Sequence, residues 1–343
     1  MNRHGLLMVG NFLSDNIGIR CVCEELAPRL KARGWSVTTT SRIPARLPRM
    51  LDMLYTAWCK RNHYRIAQVD LYSGPSFVWA EAVAAMLTAL RRPFVLTVHG
   101  GRLPDFARRW TSRVRRLLNS AAAVSVPSRF LLERIAPYRS DLVHLNNGLE
   151  IAHYPCRTRT QAAPRLVWLR SFHRIYNPSL AVRAAALLSR EFPALTLRMA
   201  GPDRGDGSFG AARDEAARLG IADRVEFVGR VPKRHVPLLL AESDIFVNTT
   251  NVDNAPVCVV EAMAAGLCVV STNVGGVPYL VRDGHDGLLV PPDDPAELAA
   301  AVRRVLTEPD LAASLSRNGR SAAQDYDWSA VLPQWESLFK AIA

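Results

Sequence analysis

The chain has 343 residues, 49% of them hydrophobic, and 43 Lys+Arg against 31 Asp+Glu give a net charge of +12. That length is too great for one comfortable core, and two domains of ordinary size are expected. The six Cys are scattered, with no CxxC pair and no Cys/His cluster at zinc spacing, which argues against a structural metal and for buried thiols in a reducing cytoplasm.

The apolar run Gly5–Gly10 is short and passes into Asn11 with no small-residue cleavage site, so a secretory signal is not expected. Leu6–Gly10 reads as a buried strand, 17–33 as a helix ending at Gly34, and Ser36–Thr40 as a second strand. Val69–Tyr72, Phe94–Val98, Ala122–Val126 and Leu142–Leu145 continue the series, with helical segments between them. Such alternation predicts a doubly wound parallel sheet, with its active loops at the carboxyl ends of the strands. Gly10-Asn11, Ser73-Gly74 and His99-Gly100-Gly101 fall at that edge.

Charge divides unevenly along the chain. Residues 1–150 hold 22 Lys+Arg against 10 Asp+Glu, while residues 151–343 hold 21 of each. Segment 42–65 mixes Met50, Leu51, Tyr55 and Trp58 with Arg42, Arg46, Arg49, Lys60, Arg61 and Arg65, and 102–118 adds Trp110 among further Arg. Basic amphipathic helices with aromatic residues suit an anionic bilayer surface; otherwise they are solvated helices that cover the sheet. No nucleic-acid motif accompanies the charge.

A polar, Pro-containing linker near Asn147–Pro164 leads to a second series: Leu166–Leu169, Leu195–Met199, Val225–Val228, Ile245–Asn248, Cys268–Ser271 and Leu288–Val290. The longest uncharged window, Ala262–Val281, is broken by Gly275, Gly276 and Pro278 and reads as strand and loops rather than a membrane span. Asp294, Pro295 and Glu297 supply an N-cap, a first-turn Pro and a capping-box acid, and Asp327 caps a last amphipathic helix, Trp328–Ile342. The domains expected are 1–154 and 155–327, with 328–343 returning to the first. No GxGxxG follows the first strand and no GxxxxGK[ST] occurs, which disfavours dinucleotide redox and P-loop chemistry.

Residues 251–266, NVDNAPVCVVEAMAAG, hold the sharpest signal. Pro256 and Gly266 bracket a helix from about Ala255 to Ala265, and Glu261 stands among residues that prefer burial. The helix start offers unpaired N–H groups to a phosphate or polyhydroxylated ligand, with Asp253 and Glu261 facing the same space. Alternatively this is a core helix whose carboxylate is tied to a neighbouring Arg. The residues leave both readings open.

DNAPVCVVEAMAAGLCVVSTNVGGVPYLVRDGHDGLLVPPDDPAELAAAV (253–302), with LTVHGG (96–101), VSVPSRFL (124–131), NNGLE (146–150) and Gly229-Arg230, resembles the retaining glycosyltransferases of family 4. The resemblance implies a GT-B fold, α/β with two doubly wound parallel-sheet, Rossmann-like domains facing a cleft and a C-terminal helix crossing back. It implies sugar transfer, with retention, from a nucleotide diphosphate sugar, without metal or cofactor. The basic first domain points to a glycan or lipid-linked acceptor and to a cytoplasmic protein, peripheral on the inner membrane face. By resemblance, Glu261 holds the ribose hydroxyls and Asp253, one methylene shorter than the family's Glu, lies near the transferred sugar. Arg170 faces the diphosphate. The family's Lys is missing from RSFHRIYNPSLA, with Arg174 as a substitute. His99 points toward the reacting sugar, Gly18 belongs to a loop near the donor phosphates, and Arg230, Asn254, Ala255, Pro256 and Val257 complete the donor contacts. The rivals are a nucleotide-sugar epimerase or phosphorylase on the same plan, and a nucleotide-sugar-binding or membrane-associated partner without catalysis.

Overall fold

The structure is a computed structural model, described over residues 5–13 and 21–343. The chain divides into two compact units, one formed by residues up to Gly148 together with Trp328–Ala343, the other by Leu149–Asp327.

The first unit is a six-stranded parallel sheet: β1 (Gly5–Val9), β2 (Ser36–Thr40), β3 (Ile66–Leu71), β4 (Phe94–Val98), β5 (Ala123–Val126) and β6 (Leu142–His144), in the order β2-β1-β3-β4-β5-β6. Between them run α1 (Val22–Ala32), α2 (Arg46–Cys59), α3 (Phe77–Ala89), α4 (Leu103–Arg109), α5 (Thr111–Ser120) and α6 (Arg129–Ile135). Alternating side chains of a strand point to opposite faces, and β1 divides its residues accordingly. Leu7 and Val9 pack with α2, α3 and α5, whereas Leu6 and Met8 pack with α1, Trp35 and the last helix. Parallel strands covered on both faces read as continuous apolar runs, which is why every strand expected from the sequence is present. Of the expected helix 17–33, residues 17–20 lie outside the described residues; the remainder begins at Val22.

The second unit holds β7 (Arg165–Leu169), β8 (Thr196–Ala200), β9 (Val225–Gly229), β10 (Ile245–Asn248), β11 (Cys268–Thr272) and β12 (Leu288–Val290), ordered β12-β11-β10-β7-β8-β9 and again parallel. Its helices are α7 (Pro178–Ser189), α8 (Ser208–Arg218), α9 (Val236–Ala241), α10 (Val257–Ala264), α11 (Pro295–Thr307) and α12 (Leu311–Ala323). Asp294 caps α11 as expected, accepting the amides of Ala296 and Glu297 at 3.0 Å each. The final helix α13 (Trp328–Ile342) belongs to the first unit, where Val331, Trp335 and Phe339 are buried against Trp35 and Leu26. Among the described residues no helix is long and apolar enough to cross a membrane.

Chain order reverses between β1 and β3 in one sheet and between β7 and β10 in the other. The crevice beyond the carboxyl ends of strands at such a reversal is where doubly wound sheets bind ligands.

Candidate functional site

In the second unit Arg170, residues 253–257 and Glu261 gather at that reversal. β7 ends at Leu169, and Arg170 follows with its N–H bonded to the Ala200 carbonyl at 3.0 Å. Gly201 makes this possible, since a Cβ there would stand 1.7 Å from the Arg170 oxygen. The Arg170 guanidinium pairs with Asp253, lies 4.1 Å over the Tyr176 ring and reaches Cys258 Sγ at 3.6 Å. Its Nε–H is buried with no acceptor among the described residues.

Segment 251–256 is a bent loop, and α10 starts at Val257 with Pro256 as its N-cap, two residues later than the sequence suggests. The delay has a cause: Gly275 and Gly276 lie against this loop, the Gly276 N–H bonding the Asp253 carbonyl at 3.0 Å. A Cβ on Gly276 would meet the Asn254 oxygen at 1.6 Å. Asp253 also accepts the Asn254 amide at 2.8 Å, so the turn before the helix is closed by its own side chain. Asn254, Ala255 and Val257 are half-buried beside it, and Pro256 is buried.

Glu261, one turn into α10, is 4% exposed. Its partner is not an Arg. Lys233 and the Tyr154 hydroxyl, the latter at 2.5 Å, both donate to Oε1. Lys233 comes from the turn after β9, and Tyr154 from the segment that opens the unit. Neither was expected from the sequence; the only hint was a basic PKR following Gly229-Arg230. Cys258, between Arg170 and Glu261, is held in its thiol form because burial pushes its pKa up, more than the Arg170 charge lowers it.

Arg174 pairs with Asp206 rather than with this group. Arg174 is 79% exposed beside Asp206, 3.6 Å away, and Arg230 is an exposed residue following Gly229 at the end of β9. A cavity of about 720 Å³ lies at the opposite edge, by the first residues of β7, β8 and β9, and is lined by the Arg198–Glu226 and Arg198–Glu242 ion pairs. It is remote from the loops described above.

In the first unit His99 follows β4, with its amide bonded to the Leu71 carbonyl at 2.8 Å. Its Nε2 meets Asp70 Oδ1 at 2.8 Å, and its ring stacks on Tyr72 with centroids 4.9 Å apart. Asp70 is completely buried and also accepts from Gln68 Nε2 at 2.8 Å. Burial pushes its pKa up, but the His99 charge and hydrogen bonds from His99, Gln68 and Cys23 outweigh this and leave the carboxyl below its ordinary range. Asp70 hid in the apolar run of β3 and was not expected as a site residue. Gly18 lies outside the described residues.

Two family models match the chain: glycosyl transferases group 1 over residues 162–322 and glycosyltransferase family 4 over residues 6–153. A D-inositol 3-phosphate glycosyltransferase of Streptomyces coelicolor is 34% identical over 48% of this chain, a stretch that spans 37% of that relative's own length. A phosphatidyl-myo-inositol mannosyltransferase of Mycobacterium tuberculosis is 27% identical over 76% of this chain and 68% of its own. Among solved structures, Anabaena Alr3699/HepE in complex with UDP and glucose superposes with a TM-score of 0.74 at 18% identity, covering 98% of this chain and 99% of its own.

Proposed function

Because the chain belongs to the group 1 glycosyltransferases of family 4, we propose that it transfers a sugar from a nucleotide diphosphate sugar, with retention at the anomeric carbon, to a glycan or lipid-linked acceptor in cell-surface polysaccharide or glycolipid synthesis. The observation that carries the reading is the pair of cation–carboxylate contacts, Arg170–Asp253 and Lys233–Glu261, that bracket the start of α10. The UDP bound by the Anabaena neighbour makes a uridine nucleotide the first donor to test, and the kinship to a phosphatidyl-myo-inositol mannosyltransferase favours a lipid-linked acceptor.

In this reading Glu261 holds the ribose. A carboxylate accepts two hydroxyls of a vicinal diol, and because Tyr154 and Lys233 both use Oε1, Oε2 is left to the sugar. The diphosphate sits at the first turn of α10, where unpaired N–H groups and the helix dipole favour negative charge. Arg170 offers its fork and its unmatched Nε–H to the same oxygens. As the glycosidic bond breaks, charge grows on the leaving diphosphate, and these fixed donors stabilise it without a metal. Asp253 stands by the transferred sugar and holds Arg170 in orientation, with Asn254, Ala255, Pro256 and Val257 lining the approach. His99 is assigned to the sugar by the family resemblance, and Gly18, Arg174 and Arg230 to the donor phosphates. No carboxylate is assigned as a nucleophile, so attack on the face the diphosphate leaves, assisted by that phosphate, is the proposed route to retention. The protein is proposed to work on the cytoplasmic side, peripherally at the membrane.

The test is a thermal-shift panel of UDP, GDP, ADP and their sugars, followed by transfer assays with the donor that binds. A ligand at 100 times its dissociation constant stabilises by about 2.7 kcal/mol. Arg170→Ala and Glu261→Ala are each expected to lower turnover about a hundredfold, the usual cost of one such donor, with the fold intact. Near-wild-type turnover in both variants removes the site assignment; a shift without turnover for any acceptor returns the chain to a binding role.

A further inference from the structure

The outer face of α2 carries four large apolar side chains that the core does not use. Leu47, Leu51, Tyr55 and Trp58 are 63, 56, 69 and 52% exposed. Residues three and four apart share a helix face, so this spacing sets them in one row. Met53 and Ala57, fully buried, turn the opposite face to the sheet. The helix is therefore apolar on two sides, where a surface helix is ordinarily polar on the outer one. Contiguous exposed apolar surface of this kind marks a contact site.

Charge says what the contact is with. Arg42 and Arg46 lie exposed at the amino end of the row and Lys60 at its carboxyl end, where the Arg61 guanidinium stands 4.6 Å from the Trp58 ring. The helix has one acid, Asp52, and it turns away from the row to accept the Thr40 hydroxyl at 2.9 Å. On the same side of the sheet Trp110 is 45% exposed, with Arg109 5.8 Å from its ring. Leu, Tyr and Trp framed by cations, in the half of the chain that carries the whole surplus of 12 positive charges, match an anionic bilayer better than a protein surface.

We propose that α2 docks the first unit on an anionic lipid bilayer, lying in the membrane plane. Leu47, Leu51, Tyr55 and Trp58 enter the boundary between headgroups and acyl chains, and Arg42, Arg46, Lys60 and Arg61 engage the anionic headgroups. This deepens the reading of a lipid-linked acceptor above, and its test needs no turnover, so docking and sugar transfer fail separately.

The experiment is flotation of the full chain with vesicles of phosphatidylcholine alone, or with equal parts of phosphatidylglycerol, at low and high salt. The wild type is expected to float with the anionic vesicles at low salt and to stay behind with neutral ones. The triple variant Leu51→Ser, Tyr55→Ser, Trp58→Ser is expected to lose partitioning about tenfold or more, with an unchanged melting temperature because all three side chains are exposed. Arg46→Gln, Lys60→Gln and Arg61→Gln together are expected to lose most of the salt-dependent part. A triple Ser variant that floats like the wild type overturns the proposal. So does a wild type that ignores anionic vesicles, or one that self-associates through this row and is made monomeric by the Ser variant.

Discussion

Asp70 presents the physical problem of a carboxylate that stays ionised with no exposure to water. Burial alone would neutralise it, and the His99 charge and three hydrogen-bonding neighbours reverse that. Its folded-state pKa therefore lies below the unfolded value of about 3.9, so it contributes stability at pH above that value and loses it as pH falls through the folded pKa. Asp70→Asn is expected to remove this part of the acid-side slope in urea melts taken at successive pH values below about 4. An unchanged slope would mean that Asp70 is not ionised in the folded protein. Tyr154 poses a related question at Glu261, where its hydroxyl donates to a nearly buried carboxylate at 2.5 Å. Tyr154→Phe keeps the ring and deletes the donor, and a hydrogen bond to a charged group is worth about 1.5–3 kcal/mol. Denaturant melts are expected to show a loss of that size, together with weaker nucleotide binding; a variant as stable as the wild type would leave Lys233 as the sole necessary partner.

At the level of elements, the loop before α10 is positioned by glycine packing. Gly276 has φ −88° as an N-cap, so its backbone would accept alanine. The obstacle is the Asn254 oxygen, 1.6 Å from the added Cβ. Gly276→Ala is thus expected to displace residues 253–254 and lower transfer activity at least about tenfold, each 1.4 kcal/mol of misplacement being a tenfold loss, while circular dichroism stays unchanged. Full activity would show that the loop geometry is not needed. These contacts also explain what the sequence could and could not convey. Strands buried on both faces wrote themselves as apolar runs such as LLMV and CVVST, and Pro295 after Asp294 marked a helix start directly. The start of α10 falls two residues beyond the one the sequence suggests because the NAP segment is bent from outside, by Gly275 and Gly276. Glu261 declared itself as a misplaced acid, but its partners Lys233 and Tyr154 lie 28 and 107 residues away, and no local period encodes such a pairing. Asp70 was invisible for a different reason: one acid in VDLY at the end of an apolar run looks like the solvent-facing end of a strand.

The two units differ in how the chain builds them, and that difference is testable. The second unit, Leu149–Asp327, is one continuous stretch with its own sheet and buried core, the property that lets a domain fold alone. Arg159 is part of its closure: fully buried, it donates to the carbonyls of Arg157, Ala265 and Ser243, and so ties the ends of α9 and α10 together. Arg170, Lys233, Asp253 and Glu261 all lie within the same stretch. The fragment 149–327 is therefore expected to fold by itself and to bind the donor nucleotide within about tenfold of the full chain, a difference of about 1.4 kcal/mol. The first unit is discontinuous, and its helix α13 comes from the far end of the sequence. Cutting the chain after Asp327 strips four buried side chains, Trp328, Val331, Trp335 and Phe339, from the core around Trp35. Each such side chain contributes about 1.5–3 kcal/mol, against about 5–15 kcal/mol for the stability of a whole domain. The truncated chain is expected to lose the first unit's structure while nucleotide still protects residues 149–327 from proteolysis. Calorimetry and limited proteolysis of the two products, with and without UDP, read both outcomes. A folded fragment 149–327 that binds no nucleotide would show that the donor site needs the first unit, and a truncated chain with an intact first unit would show that α13 is dispensable to it.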